Sequence, residues 1–145
     1  MKALRSALDP PARRLLTAVE SAADALGTEA WAVGGAVRDI ALGRPINDLD
    51  VAVAGDPGPF VGAVLAALSD PGATSEVTDR FGTATVVAGG RQLDLARLRT
   101  EHYVAPGNLP VVRATARVEA DLERRDFTVN AIALGIGGAR RGELL

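Results

Sequence analysis

The sequence contains no cysteine, so the chain forms no disulfide and no thiolate metal site. Aromatic residues make up only 3% of it. No apolar run approaches the roughly 20 residues that are needed to span a bilayer. Residues 1–5 (MKALR) open without the long apolar core of a signal peptide. We therefore expect a cytoplasmic protein with no membrane partner.

An excess of positive charge is also missing. The formal net charge is −2, and Lys2 is the only lysine. A domain that holds nucleic acid unaided is usually basic, so this balance does not favour such a role for the whole chain. The arginines of the second half include Arg97, Arg99, Arg113, Arg117, Arg124 and Arg125. This local bias fits either a surface that faces polyphosphate or RNA, or an ordinary solvated charged face.

The 145 residues, 48% of them hydrophobic, suffice for one domain with a core. Helical spacing and capping residues predict helices over 9–27, 36–42, 60–68 and 118–127. Apolar runs and alternation predict strands over 30–33, 48–53, 83–87, 92–98 and 132–136, with a loop over 100–116. This order predicts an α/β (α+β) domain, with a mixed central sheet flanked by helices. Residues 1–27 are expected to form an N-terminal helical segment before a domain over 28–145.

A glycine pair, Gly34-Gly35, lies between a predicted strand and a predicted helix. Glycine lets backbone N–H groups approach a phosphate, and a helix N-terminus favours an anion there. The pair matches neither the G-x-G-x-x-G pattern of dinucleotide sites nor a Walker A loop. A simple tight turn remains the alternative to a phosphate cradle.

Two carboxylates follow the glycine pair on a predicted strand. Asp48 and Asp50 are two residues apart and therefore share one face. Like charges on one strand face repel each other unless they are exposed or bridged by a cation. Asp94, on a strand of the predicted hairpin, offers a third carboxylate, although a solvated aspartate is an equally good interpretation. Three oxygen donors beside a substrate phosphate would suit Mg²⁺ and phosphoryl or nucleotidyl transfer.

Arg124 and Arg125 close the predicted charged helix. Arginines at a helix C-terminus are favourable to the helix dipole in any protein. The alternative role is to bind the triphosphate or the sugar of a nucleotide. The only histidine, His102, lies in the predicted loop and is given no catalytic role.

Several short strings occur together in one order. They are GGAVRD at 34–39, DLD at 48–50, FGTATV at 81–86, Asp94 with RTE at 99–101, and DL at 121–122 leading into RRDFTVNA at 124–131. In this combination the chain resembles, over about residues 28 to 145, the head domain of the bacterial class II tRNA nucleotidyltransferase (CCA-adding enzyme) and poly(A) polymerase family. The pairing of the first string with RRDFT is highly specific.

The resemblance implies a polymerase-β-like nucleotidyltransferase fold and a catalytic Mg²⁺ held by Asp48, Asp50 and Asp94. It implies a nucleotide-binding role for Gly34, Gly35, Arg38 and Arg125. Family members add CCA, or part of it, to the 3′ end of tRNA, or add A tails to RNA, so CTP or ATP and an RNA 3′ end are the expected partners.

In that family a neck domain after the head selects the base, and a body and a tail hold the tRNA. None of these is expected within residues 1–145. A small-substrate nucleotidyltransferase shares the glycine pair and the Asp-x-Asp pattern, although RRDFT argues against it. A binding module without catalysis is a further alternative, which a turnover assay beside a nucleotide-binding assay would distinguish.

Overall fold

The structure is a computed structural model that describes residues 1–46, 48–105 and 107–145. Within these residues the chain forms five helices, α1 to α5, and eight strands, β1 to β8. The helices are Lys2–Ala7, Pro10–Leu26, Gly35–Ala41, Pro57–Leu68 and Val118–Glu123. The strands are Ala30–Val33, Leu49–Val53, Thr74–Thr78, Thr83–Ala88, Arg91–Arg97, Arg99–His102, Val111–Ala114 and Ala133–Gly137. Short 3₁₀ turns occupy Asp79–Phe81 and Thr128–Asn130.

Six strands form the central sheet in the order β3-β4-β5-β2-β1-β8. Strands β2 and β5 are parallel, whereas the other neighbours in this sheet are antiparallel. Strands β6 and β7 form a separate antiparallel ribbon. The prediction of an α/β (α+β) domain with a mixed central sheet flanked by helices is confirmed.

Helices α2 and α4 cover one face of the sheet. Helix α2 begins as its sequence predicts, whereas α4 begins at Pro57 rather than at residue 60, because the Asp56 carboxylate accepts a hydrogen bond from the Gly58 backbone N–H and caps it. The Asp9 carboxylate accepts a hydrogen bond from the Ala12 backbone N–H at 2.9 Å, and Pro10 follows in the first turn. Helix α2 ends at Leu26 and is capped by Gly27, whose φ of 60° is left-handed. The apolar side of α2 is buried against α4 and β8. The main hydrophobic core therefore lies between these helices and the sheet.

The opposite face of the sheet is covered only in part. A second buried cluster lies there beneath α5 and comprises Trp31, Val33, Ala52, Leu98, Val118 and Ala133. Beside it, a cavity of about 380 Å³ opens over β2, β4 and β5. This arrangement leaves the predicted carboxylates of β2 and β5 accessible beside a rigid, packed support.

The structure also differs from the sequence prediction at other elements. The predicted loop over 100–116 holds the β6–β7 ribbon, whose connection includes Pro106, a residue outside the described part of the chain. Strand β3 was not predicted, and α1, which lies within the helical segment predicted over 1–27, was not predicted as a separate helix. Helix α5 ends at Glu123 rather than near Phe127. No helix among the described residues is both long and apolar enough to cross a membrane.

The contact between α2 and β8 requires a glycine at position 137. A Cβ on Gly137 would overlap the Cβ of Ala23, so we expect Gly137→Ala to lower the free energy of unfolding by about 1–3 kcal/mol, as overpacking does. Gly62→Ala in α4 is the matched control, because no atom lies within 4 Å of a Cβ there. The control is expected to be neutral or stabilising in urea denaturation. Equal stability of the two variants would contradict the tight α2–β8 contact.

Candidate active site

The glycine pair lies at the junction of β1 and α3. Gly34 has a φ of 65°, a conformation that side chains rarely adopt, and its N–H donates to the Ile132 carbonyl at 3.0 Å. A Cβ on Gly34 would lie 3.5 Å from Nη1 of Arg125, and one on Gly35 would lie 3.5 Å from Nη2 of Arg38. The junction thus places the glycine backbone next to Arg38, a few residues further along the chain, and next to Arg125, which is distant in the sequence.

Arg38 lies on α3 and is held on two sides. Its Nε and Nη2 donate to the two carboxylate oxygens of Asp39 at 2.9 and 3.1 Å, and its Nη1 donates to Oδ1 of Asn130 at 2.8 Å. The hydrogen bond from Arg38 holds the pKa of Asp39 below its ordinary value, and Asp39 in turn raises the pKa of Arg38. Arg38 therefore stays charged and in a fixed orientation beside the glycine pair.

The carboxylates meet at the middle of the sheet. Asp50 in β2 is the direct register partner of Asp94 in β5, and Asp48 immediately precedes β2. The pKa of Asp50 is raised, first because its carboxyl is partly withdrawn from water, and then because the carboxylates of Asp94 and Asp48 lie near it. The Arg125 guanidinium offsets part of this repulsion. The structure thus brings the three predicted carboxylates and Arg125 into one electrostatic neighbourhood.

Asp94 is engaged by two polar neighbours. The Thr85 hydroxyl donates to its Oδ1 at 2.8 Å, and the Gln92 amide donates to both of its oxygens at 3.0 and 2.9 Å. Thr85 lies across on β4 and Gln92 lies earlier on β5, so these bonds draw the carboxylate away from β2. In keeping with this, the described residues hold no cluster of three or more carboxylate, histidine or cysteine side chains arranged around a metal position. The role of the three aspartates as metal ligands stays a prediction.

The donor set nevertheless fits a hard divalent cation. Asp48, Asp50 and Asp94 offer only carboxylate oxygens, which Mg²⁺ prefers, and all three are solvent-accessible or half-buried. Asp50 and Asp94 line the open cavity. The mutual repulsion that raises the pKa of Asp50 is the kind that a bound cation relieves.

A buried carboxylate organises the arginines on the far wall of the cavity. Asp121 is 1% exposed and accepts hydrogen bonds from Arg124 at 2.7 and 3.0 Å, from Arg125 at 2.9 and 3.3 Å, and from the Arg99 backbone N–H at 3.1 Å. Glu101 contacts both Arg99 and Arg124. Arg125 is thereby fixed between Asp121 and the glycine junction.

The sequence analysis assigned no role to Asp121, Thr85, Gln92 or Asn130. Asp121 precedes Arg124 by three residues and Arg125 by four, and this helical spacing could have indicated the ion pairs. The same-face spacing of Gln92 and Asp94 on one strand could have indicated their contact. No sequence signal connects Asn130 with Arg38, because 92 residues separate them.

Arg38 provides a direct test of the nucleotide role. We expect Arg38→Ala to weaken nucleotide binding about tenfold, which corresponds to one lost charge-assisted contact. The fold should change little, because the pair with Asp39 is partly exposed and such pairs contribute about 0–1 kcal/mol. Titration calorimetry with ATP measures the effect, with Arg14→Ala on the opposite face of the sheet as the control. Unchanged affinity in the Arg38 variant would contradict a phosphate-binding role.

Comparisons with known proteins agree with this geometry. The family described as "Poly A polymerase head domain" matches residues 30–144. The chain is 36% identical over 139 residues to the A-adding tRNA nucleotidyltransferase of Geobacter sulfurreducens, covering 95% of this chain and 15% of the relative. It is 38% identical over 128 residues to a CCA-adding enzyme of Streptococcus pyogenes, covering 86% of this chain and 28% of that enzyme.

Solved structures that resemble this chain come from the same group of enzymes. An apo CCA-adding enzyme superposes with a TM-score of 0.86 at 30% identity, over 99% of this chain and 33% of its own. A tRNA nucleotidyltransferase complexed with a primer tRNA and an incoming ATP analog gives 0.69 at 32% identity, over 88% of this chain and 33% of its own.

The chain spans no more than a third of the length of these relatives. The relatives are nucleotidyltransferases, a class of enzymes that generally uses a divalent metal ion. The predicted polymerase-β-like nucleotidyltransferase fold is confirmed by the structural match. On these grounds the chain belongs to the poly(A) polymerase head-domain family.

Proposed function

We propose that this chain is the Mg²⁺-dependent catalytic head of a tRNA nucleotidyltransferase, which transfers CMP or AMP from CTP or ATP to the 3′ end of tRNA. The observation that carries the proposal is the direct pairing of Asp50 with Asp94 across β2 and β5, next to Asp48 and Arg125. The names of the relatives, which include CCA-adding and A-adding enzymes, support tRNA as the acceptor.

Each group then has a distinct task. Gly34 and Gly35 let the triphosphate approach the backbone, while Arg38 and Arg125 bind its oxygens. Asp48, Asp50 and Asp94 would hold Mg²⁺, which lowers the pKa of the attacking 3′-hydroxyl and neutralises charge on the triphosphate. Catalysis of this kind consists mainly of positioning and charge stabilisation, and the rigid sheet beneath the carboxylates suits it.

The residues that we propose for the site would contact phosphates and a metal ion, and none of them is placed to read a base edge. We therefore expect the chain to bind ATP, CTP and GTP with similar affinity, and only in the presence of Mg²⁺. Titration calorimetry with each nucleotide, with and without EDTA, tests both statements. Binding that is insensitive to EDTA would contradict the metal role, and a preference for ATP or CTP of tenfold or more would show that base reading begins in this domain.

A poly(A) polymerase head domain is the second candidate, and the description of the matching family favours it. We further propose a cytoplasmic location, which the tRNA-processing names of the relatives support. Residues 1–27 are proposed to be a helical segment that precedes the head proper over 28–145. The neck, body and tail of the family are proposed to lie outside these residues, as the short coverage of the relatives suggests.

A further inference from the structure

Two neutral side chains hold the Asp94 carboxylate in the candidate active site. Its Oδ1 accepts hydrogen bonds from the Thr85 hydroxyl at 2.8 Å and from the Gln92 amide at 3.0 Å. Its Oδ2 accepts one from the Gln92 amide at 2.9 Å. Because Thr85 is β-branched and lies in a strand, its hydroxyl has few alternative orientations. The two donors therefore fix the orientation of the carboxylate before any ligand binds.

The strand register puts these groups on one face of the sheet. Thr85 on β4 is the direct partner of Asp94, and Asp50 on β2 is its direct partner on the other side. Directly paired residues, and residues two apart on one strand such as Gln92 and Asp94, point to the same face. Thr85, Asp94 and Asp50 accordingly line the same cavity. Asp94 thus lies between a hydroxyl donor on one neighbouring strand and a second carboxylate on the other.

The hydrogen bonds leave Asp94 little capacity to bind anything else. An ionised carboxylate has about four lone-pair positions, two on each oxygen. Thr85 and Gln92 together fill both positions of Oδ1, and Gln92 fills one position of Oδ2. One position, on Oδ2, remains for a ligand that displaces no protein donor. A metal ion can therefore be bound through Oδ2 alone, whereas binding through both oxygens would break a hydrogen bond from Thr85 or Gln92.

The number of oxygens that a carboxylate offers distinguishes two common divalent cations. Mg²⁺ requires nearly octahedral geometry and keeps several of its waters, and the narrow bite of a carboxylate that binds through both oxygens does not fit this geometry. Ca²⁺ is larger, takes about six to eight oxygens in a flexible arrangement and readily binds a carboxylate through both oxygens. A carboxylate that is limited to one oxygen therefore suits Mg²⁺ better than Ca²⁺.

We propose that Thr85 and Gln92 are positioning residues that restrict Asp94 to coordination through one oxygen, and that they thereby make the site prefer Mg²⁺ to Ca²⁺. The inference rests on the proposed function, because it takes Asp94 as a metal ligand. It adds that the selectivity of the site comes from two side chains that do not themselves touch the metal. Outer hydrogen bonds of this kind orient metal ligands in many proteins.

The test measures metal binding by the 145-residue chain directly, without substrate or turnover. Bound Mn²⁺ is followed by electron paramagnetic resonance, and Mg²⁺ and Ca²⁺ are titrated as competitors, so that the ratio of their dissociation constants gives the selectivity. We expect Thr85→Val, which keeps the shape but lacks the donor, to weaken Mg²⁺ binding about tenfold. Ca²⁺ binding should stay the same or become tighter, because Oδ1 gains a free lone pair. The preference for Mg²⁺ should therefore fall about tenfold.

Three further variants separate the hydrogen bonds from the shape of the side chains. Thr85→Ser restores the hydroxyl and should recover most of the preference for Mg²⁺. Gln92→Ala removes two hydrogen bonds and should lower the preference at least as much as Thr85→Val does. Thr83→Val is the matched control, because Thr83 lines the same cavity from the same strand but has Ala96, not a carboxylate, as its partner on β5. Thermal unfolding checks that each variant is folded.

Several results would overturn the inference. One is a Thr85→Val chain with the same preference for Mg²⁺ as the Thr83→Val control, and another is a Thr85→Ser chain as impaired as Thr85→Val. Equal weakening of Mg²⁺ and Ca²⁺ binding would also contradict it, because the two side chains would then support Asp94 without selecting the ion. Failure of the proposed function looks different: the parent chain would bind no Mn²⁺, or Asp50→Asn would bind it as tightly as the parent does.

Discussion

Replacing Asp50 with asparagine is expected to abolish metal-dependent nucleotide binding and, at the same time, to make the fold more stable. Loss of a hydrogen-bond partner of a metal ligand costs about 10–100-fold in metal affinity, so loss of the ligand itself should cost at least as much. The gain in stability has a separate cause. Partial burial and the carboxylates of Asp94 and Asp48 raise the pKa of Asp50, so its ionised form is unfavourable in the folded state.

The pH dependence follows from the direction of that shift. Between the ordinary aspartate pKa and the raised pKa of Asp50, the folded chain binds more protons than the unfolded chain. The contribution of Asp50 to the free energy of unfolding therefore falls as the pH rises from the ordinary aspartate pKa to the raised one, and it stays low above that pH. Asp50→Asn should remove this part of the pH dependence, because asparagine does not titrate.

Thermal unfolding from pH 3.5 to 8, together with Mn²⁺ titration by electron paramagnetic resonance, checks both effects. At neutral pH each kcal/mol of relieved repulsion should raise the Tm by about 2–4 °C. Glu123→Gln, an equal charge change at an exposed position at the end of α5, is the control and should keep the parent's Mn²⁺ affinity. An Asp50→Asn chain that keeps both the Mn²⁺ affinity and the pH profile of the parent would refute the account.

The largest loss of stability is expected from Asp121→Ala. Asp121 is almost fully buried and accepts hydrogen bonds from Arg124, Arg125 and the Arg99 backbone. Its removal leaves two half-buried guanidinium groups without their main counter-charge. Removing one partner from a buried ion pair costs about 3–5 kcal/mol, which lowers the Tm by roughly 10 °C in a chain of this size. Arg125 should also lose its orientation, so that nucleotide binding falls even where the chain remains folded.

Urea denaturation and calorimetry at a temperature where the variant is folded separate these two effects. Asp24→Ala is the matched control, because Asp24 pairs with Arg141 in an exposed bridge that contributes at most about 1 kcal/mol. Similar stabilities of the two variants would show that the hydrogen bonds to Asp121 stabilise the fold no more than an exposed ion pair does. An Asp121→Asn chain should lie between the parent and the alanine variant, since the amide keeps one acceptor but loses the charge.

The sequence predicted those parts of the fold whose residues carry their own pattern. Helix α2 has a capping aspartate, a regular apolar face and a terminal glycine. The β4–β5 hairpin has alternating residues around Gly89 and Gly90, both with positive φ. Strand β3 was missed because its residues, TSEVT, are nearly all exposed and contain one apolar side chain. Its strand conformation comes from pairing with β4, and pairing at an edge leaves little trace in the sequence.

The β6–β7 ribbon was missed for a related reason. Its strands pack no side chain fully into the core, so no alternation of buried and exposed residues marks them. The candidate site likewise has a part that the sequence predicted and a part that it did not. The period-2 pattern placed Asp50 and Asp94 on defined strand faces, but only the strand order brings those strands together. The ring of donors around Asp121 depends on burial, which the charged sequence of α5 does not reveal.

The parallel pairing of β2 with β5 also constrains how the site can form. A slip of one residue would turn Asp94 towards the core and Leu95 towards the cavity, and burial of the unpaired carboxylate would oppose it. A slip of two residues would keep the faces but move the carboxylates apart by about 7 Å. The two strands are far apart in sequence, so this pairing forms only when the central sheet assembles. Native-state hydrogen exchange should therefore find the amides around Asp50 and Asp94 opening with the whole domain rather than by local fluctuation.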